Sequence, residues 1–174
     1  MVDLAPDEKS SLVMVYTHNL LARGEVVTKQ GIRVSTWLRM QGVPEYIQLF
    51  KPTVVHFGSG VIKTQSYAEM YIPTSKVIAF HLAPPAAEPL DYAEDEINRV
   101  MAPVTCLVGT FQFKGNLRIA SQAGHSINIE LEHSAWLSLY NVDVTNDSMP
   151  PMPPVHVGMI LMNPKQISLA VEAV

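Results

Sequence analysis

Gly24-Glu25-Val26-Val27-Thr28-Lys29-Gln30-Gly31-Ile32-Arg33-Val34 is the stretch around which the chain is organised. A counterpart returns as Gly109-Thr110-Phe111-Gln112-Phe113-Lys114-Gly115-Asn116-Leu117-Arg118-Ile119, with Gly24 and Gly109, Lys29 and Lys114, and Arg33 and Arg118 each 85 positions apart. Both copies run glycine, an alternating apolar segment, a tight turn and an apolar-Arg-apolar triplet. Alternation with period two marks a strand, and glycine inside a strand marks a bulge or sharp bend. Lys29-Gln30-Gly31 and Lys114-Gly115-Asn116 then read as hairpin turns. The repetition points to an internal duplication.

Upstream, Leu12 to Thr28 is rich in β-branched and aromatic residues and lacks a helical stripe, so it reads as one long strand or two, bent near His18-Asn19 or Gly24. Downstream, Ser35 caps a short helix from Thr36 to Gln41, ended by Gly42 and Pro44. Tyr46–Phe50 and Val54–Phe57 are strands on either side of Pro52. Glu69–Ile72, a turn at Pro73–Lys76, and Val77–Leu82 close the half, with Ile78, Phe80 and Leu82 inward. The second half repeats this order with Val104–Phe113, Ala135–Tyr140, Met159–Met162, a turn at Asn163–Lys165 and Ile167–Val171, the last alternating inward through Ile167, Leu169 and Val171. Two features have no counterpart in the first half: an alternating strand Ser126–Glu132 and the polyproline-like loop Met149-Pro150-Pro151-Met152-Pro153-Pro154.

The expected organisation is a first repeat over 1–82, a proline-rich linker with a short acidic helix over 83–96, and a second repeat over 97–174. Repeats of about 75 residues bury little core alone, and a closed barrel removes exposed sheet edges. The expected fold is therefore mainly β: an internally duplicated small β-barrel with two pseudo-symmetric halves and one or two short helices. The strand, one tight turn, strand ending resembles the SH3-like and Sm-like small barrels. Gly31-Ile32-Arg33-Val34-Ser35-Thr36-Trp37-Leu38, followed by Tyr46-Ile47-Gln48-Leu49, is similar to an uncharacterised bacterial domain family with a glycine-x-Arg-aliphatic-Ser segment. That resemblance covers the first half, implies no activity, and lapses in the second, where Ala120 stands at the serine position.

Composition narrows the function. Of 174 residues 48% are hydrophobic, mean hydropathy is +0.15, and only 16% are charged, against an average of about 25%; a weakly charged exterior suits coverage by another chain. A net charge of −4 with 12 Lys+Arg and no basic run argues against nucleic acid. The single Cys106 excludes an intramolecular disulfide framework and fits a reducing compartment. The acidic start of the chain does not read as a signal peptide, and no apolar run reaches the roughly 18 residues a bilayer span needs. A cytoplasmic protein without membrane contact is expected.

No catalytic constellation emerges. His125 and His133 would lie about 26 Å apart on a strand or about 12 Å apart on a helix, too far to share a metal; His18, His56, His81 and His156 stand alone. Cys106 reads as strand filler, Glu94, Asp95 and Glu96 as a solvated face, and Asp143 and Asp147 as turn residues. Arg33 and Arg118, each between apolar neighbours, are the binding candidates: a symmetric pair could hold an anion or a partner's carboxylate. Otherwise their stems simply cover apolar surface. The expected function is a non-enzymatic scaffold or regulatory module, without cofactor or metal, working through homo-oligomers or a protein partner. The alternatives are a small-molecule or anion binder with a site between the repeats, and an Sm-like RNA binder.

Overall fold

The computed structural model describes residues 4–58, 61–93, 95–121, 131, 134–147 and 153–171. It is mainly β and divides into two compact units, Met1–Glu88 and Pro89–Val174.

In the first unit β1 (Glu8–Tyr16) and β2 (Leu20–Lys29) form an antiparallel hairpin. Its turn is closed by the Thr17 N–H donating to the Leu20 carbonyl at 3.0 Å and the Thr17 hydroxyl donating to the Asn19 side chain at 3.1 Å. β2 pairs with β3 (Tyr46–Gly58), and the register slips at Gly24: Arg23 faces Thr53 while Glu25 faces Phe50, so Lys51 and Pro52 together oppose one glycine. Lys51 takes a left-handed φ of 46°, and Pro52, which has no N–H to donate, falls where the ladder is already interrupted. The far edge of β3 is shared by β4 (Val61–Ser66) and β5 (Glu69–Pro73). One turn of 3-10 helix, Thr74–Lys76, leads to β6 (Ala79–Leu82), which returns to pair with β1. Val13, Val15, Val26, Ile47, Leu49 and Phe80 are all fully buried in this unit.

The second unit has the same order of pairing. β7 (Arg99–Val108) and β8 (Phe111–Ala120) form a hairpin turning at Gly109, whose φ is 56°. β8 pairs with β9 (Leu137–Asn146), β9 with β10 (Val155–Met162), and after a 3-10 turn at Pro164–Gln166, β11 (Ser168–Val171) returns to β7. The slip recurs at Gly115: Lys114 faces Asp143 and Asn116 faces Tyr140, so Asn141 and Val142 oppose one glycine. Asn141 has a φ of 49°.

The two register slips do not keep the spacing of 85. Gly24 pairs with Val13 and Gly115 with Val104, both 91 positions apart, while Lys51 and Asn141 are 90 apart. Gly24 and Gly115 each stand at a slip inside a strand, whereas Gly109 is the hairpin turn. The slip glycine is fixed by packing: a Cβ on Gly115 would lie 2.8 Å from Val142 Cγ2 and 3.0 Å from the Tyr140 carbonyl oxygen. Lys114-Gly115-Asn116 is therefore no turn, and Lys29-Gln30-Gly31 leads into a helix, not a second strand.

Other expectations change with long-range contacts. The short helix exists as a 3-10 helix over Val34–Arg39, but Ser35 lies inside it instead of capping it. No helix forms over the described part of 90–101, and Ile97 is 93% exposed. β6 is buried on both faces, so Ala79 and His81 are as hidden as Phe80. β11 is the reverse: Leu169 is half-buried and Val171 exposed. β4 was not expected from Val61–Ser66. The expected strand Ser126–Glu132 and residues 148–152 of the proline loop lie outside the described residues, apart from Leu131.

Candidate functional site

Arg33 and Arg118 do not occupy equivalent places. Arg33 sits outside β2, in extended backbone at the start of the Val34–Arg39 helix. Its Nε and Nη2 are buried with no hydrogen-bond partner. The next two residues, Val34 and Ser35, are held by the chain's own Glu88. That carboxylate accepts from the Val34 N–H at 3.1 Å, the Ser35 N–H at 2.8 Å and the Ser35 hydroxyl at 2.6 Å, with the Lys9 ammonium at 3.6 Å. Burial opposes the ionisation of Glu88, but the Ser35 hydroxyl, the two backbone donors and Lys9 outweigh it and hold its pKa below the ordinary glutamate value. Glu88, inside the expected linker, thus binds the first two residues of the 3-10 helix of the first unit.

Arg118 lies in β8 opposite Met101. Its Nη2 donates to the Ala93 carbonyl at 3.2 Å and pairs with Glu96, and its guanidinium carbon stands 4.6 Å over the Tyr92 ring. Tyr92 packs edge-on against Tyr140 at 4.8 Å, and Tyr140 and Ser138 both donate to Asp91, at 2.6 and 3.1 Å. Arg118 is therefore committed to fastening residues 91–96 to the sheet of the second unit. Glu96 is its counter-ion, Asp95 is exposed, and Glu94 lies outside the described residues.

Burial pushes the Cys106 thiol up to about 12, leaving no thiolate near neutrality. His81 is 1% exposed and spans two partners: Nδ1 donates to the Leu82 carbonyl at 2.6 Å, and Nε2 accepts from the Tyr16 hydroxyl at 3.0 Å. Burial, partly offset by the Leu82 carbonyl, brings its pKa down to about 4 and raises that of Tyr16. His156 faces Asp143 across the β9–β10 ladder at 2.9 Å, exposed. His56 Nε2 is buried without a partner, His18 stands in the exposed β1–β2 turn, and Asp147 follows β9. His125 and His133 lie outside the described residues. Among the described residues, no group of three or more His, Cys, Asp or Glu is placed to hold a metal ion.

A cleft that the sequence did not announce lies on the outer face of the first unit. It encloses about 370 Å³ and is lined by Glu8, Val27, Trp37, Pro44, Tyr46, Gln48 and Phe50. Tyr46, Gln48 and Phe50 alternate outward along β3 while Ile47 and Leu49 turn into the core. Trp37, on the 3-10 helix, meets Phe80 edge-on at 6.2 Å and forms another wall. The available signal was the outward Tyr-x-Gln-x-Phe alternation next to a tryptophan that a short helix could not bury.

Comparison with known proteins adds no family: no family model, curated protein or solved structure matches this chain. No helix among the described residues is long and apolar enough to cross a membrane.

Proposed function

We propose that this protein is a non-catalytic assembly module in which two duplicated small barrels, of SH3-like or Sm-like kind, present free strand edges to further copies of the chain. The observation that carries this is a set of one-sided strands. Among the described residues β5 is hydrogen-bonded to β3 alone and β11 to β7 alone; β4, also bonded only to β3, is a third edge. Each leaves a row of backbone donors and acceptors open, the usual template for strand addition. Beside the first edge stand Tyr46 and Tyr71, 53% and 56% exposed; on the second, Val171 is 56% exposed. Neither the β5 nor the β11 edge carries a lysine, the common device against such pairing, whereas β4 carries Lys63. The two edges without lysine, β5 of five residues and β11 of four, are unlike and so favour head-to-tail pairing, which closes into a ring or runs on as a filament.

Native mass spectrometry at micromolar concentration tests this. An oligomer that Tyr71→Lys combined with Val171→Lys reduces to single chains is the expected result. A wild-type chain that stays monomeric refutes the proposal. The anion-binding alternative retains one supporting observation, the unpartnered Arg33 nitrogens; phosphate binding unchanged in Arg33→Ala would remove it. A cytoplasmic location and membership of the family with the glycine-x-Arg-aliphatic-Ser segment belong to the same proposal.

A further inference from the structure

We propose that the outer cleft of the first unit binds a small organic cation bearing an alkylated ammonium group. The inference goes beyond assembly and does not depend on it.

The walls set the chemistry. Three aromatic side chains, Trp37, Tyr46 and Phe50, line a space of about 370 Å³, within the range of ordinary small-molecule sites. No two of these three rings pack on each other among the ring contacts of the described residues; Trp37 meets Phe80 edge-on, and Tyr46 is 53% exposed. An aromatic face carries the negative part of the ring quadrupole and attracts a cation within about 6 Å.

The polar groups agree in sign. Glu8 is the one charged residue among the lining side chains. Its carboxylate is incompletely neutralised, because Lys29 serves two acids: it lies 2.9 Å from Asp7 and 3.4 Å from Glu8. One ammonium between two carboxylates leaves the Asp7–Glu8–Lys29 group with a charge of −1, and Glu8 is its member that lines the cleft. The other Glu8 oxygen accepts from the Ala5 N–H at 3.0 Å, which fixes the carboxylate in place. Gln48 donates through Nε2 to both Glu69, at 3.1 Å, and the Tyr71 hydroxyl, at 3.0 Å. That pairing orients the amide and leaves Oε1 as an acceptor. An anion would meet like charge here, and a neutral apolar ligand would leave the Glu8 charge unanswered. An alkylated ammonium suits both features, because its methyl groups pack on rings and its charge is easily stripped of water.

The test is isothermal titration calorimetry of the full chain with choline and with 3,3-dimethylbutan-1-ol, its neutral isostere. Choline binding at least about fivefold tighter than the isostere is expected from cation–π and carboxylate attraction together. Glu8→Gln and Tyr46→Ala should each weaken choline by about two- to fivefold. Tyr46 is exposed, so its removal spares the fold; Trp37→Leu should weaken binding further, with circular dichroism confirming that the chain is folded. Equal binding of choline and its isostere overturns the proposal, as does choline binding indifferent to Glu8→Gln and Tyr46→Ala, or no binding at millimolar choline. Glu8→Gln leaves both open edges intact, so subunit number stays unchanged if cleft and assembly are separate; loss of assembly in the edge variants with choline binding retained separates the two in the other direction.

Discussion

Acidification should destabilise the first unit through His81 before any surface carboxylate matters. In the fold His81 is neutral, donating through Nδ1 to Leu82 and accepting at Nε2 from Tyr16. Protonation would place a second N–H against the Tyr16 hydroxyl and a charge in a side chain that is 1% exposed. Burial lowers the folded-state pKa from 6.5 to about 4. Between those values the unfolded chain binds the proton and the folded chain does not, so stability rises with pH across that window. The contribution is fully present above 6.5 and is lost as pH falls toward 4. The gap corresponds to about 3 kcal/mol in full, of which about 2 kcal/mol falls between about pH 7.5 and about pH 5. Urea unfolding of wild type and His81→Gln at those two pH values measures it. Glutamine keeps a donor and an acceptor but cannot titrate in this range, so its unfolding free energy should fall by about 2 kcal/mol less than that of wild type. Parallel pH dependences in the two proteins would refute the assignment.

Two further outcomes follow from the geometry. Gly115→Ala should cost about 1–3 kcal/mol, because two of the close atoms, the Tyr140 oxygen at 3.0 Å and the Val142 Cα at 3.3 Å, are backbone and cannot rotate away; Gly24→Ala, whose nearest neighbours lie at 3.2 Å, should cost less, and thermal unfolding of both variants gives the ranking. Glu88→Gln should cost about 1–2 kcal/mol in urea unfolding near neutral pH, since an amide keeps one accepting oxygen and places its NH2 against either the Val34 or the Ser35 N–H; its lowered pKa makes the wild-type advantage present above the unfolded glutamate value and lost as pH falls through the folded one.

Local pattern carried most of the element inventory. Richness in β-branched and aromatic residues pointed to strand over Leu12–Thr28, where β1 and β2 lie, apolar runs pointed to parts of β3, β7, β8, β9 and β10, and the helical turn before each final strand was visible at Pro73–Lys76 and Asn163–Lys165, while the hairpins expected at Lys29-Gln30-Gly31 and Lys114-Gly115-Asn116 did not form. The candidate site was legible only in pieces. Arg33 and Arg118 stand out as letters, but the place of Arg118 depends on Ala93, Tyr92 and Glu96, and Glu88 reaches back to Val34 and Ser35 beside Arg33, at sequence separations that no local pattern encodes. β4 escaped because Val61–Ser66 is half polar and becomes a strand through its ladder to β3.

What the sequence by itself determined was a mainly β chain, two similar successions of strands, and a thinly charged exterior, because side-chain alternation and turn chemistry are properties of neighbouring residues. Only tertiary structure decided which glycines stand at the register slips. A strand can slide in register without changing its alternation, and the choice of Gly115 over Gly109 is made by the bulge that Asn141 and Val142 press against it. The cleft was decided in the same way: Glu8, Trp37 and Phe50 meet because β1, the 3-10 helix and β3 converge, and no spacing along the chain brings their chemistry together.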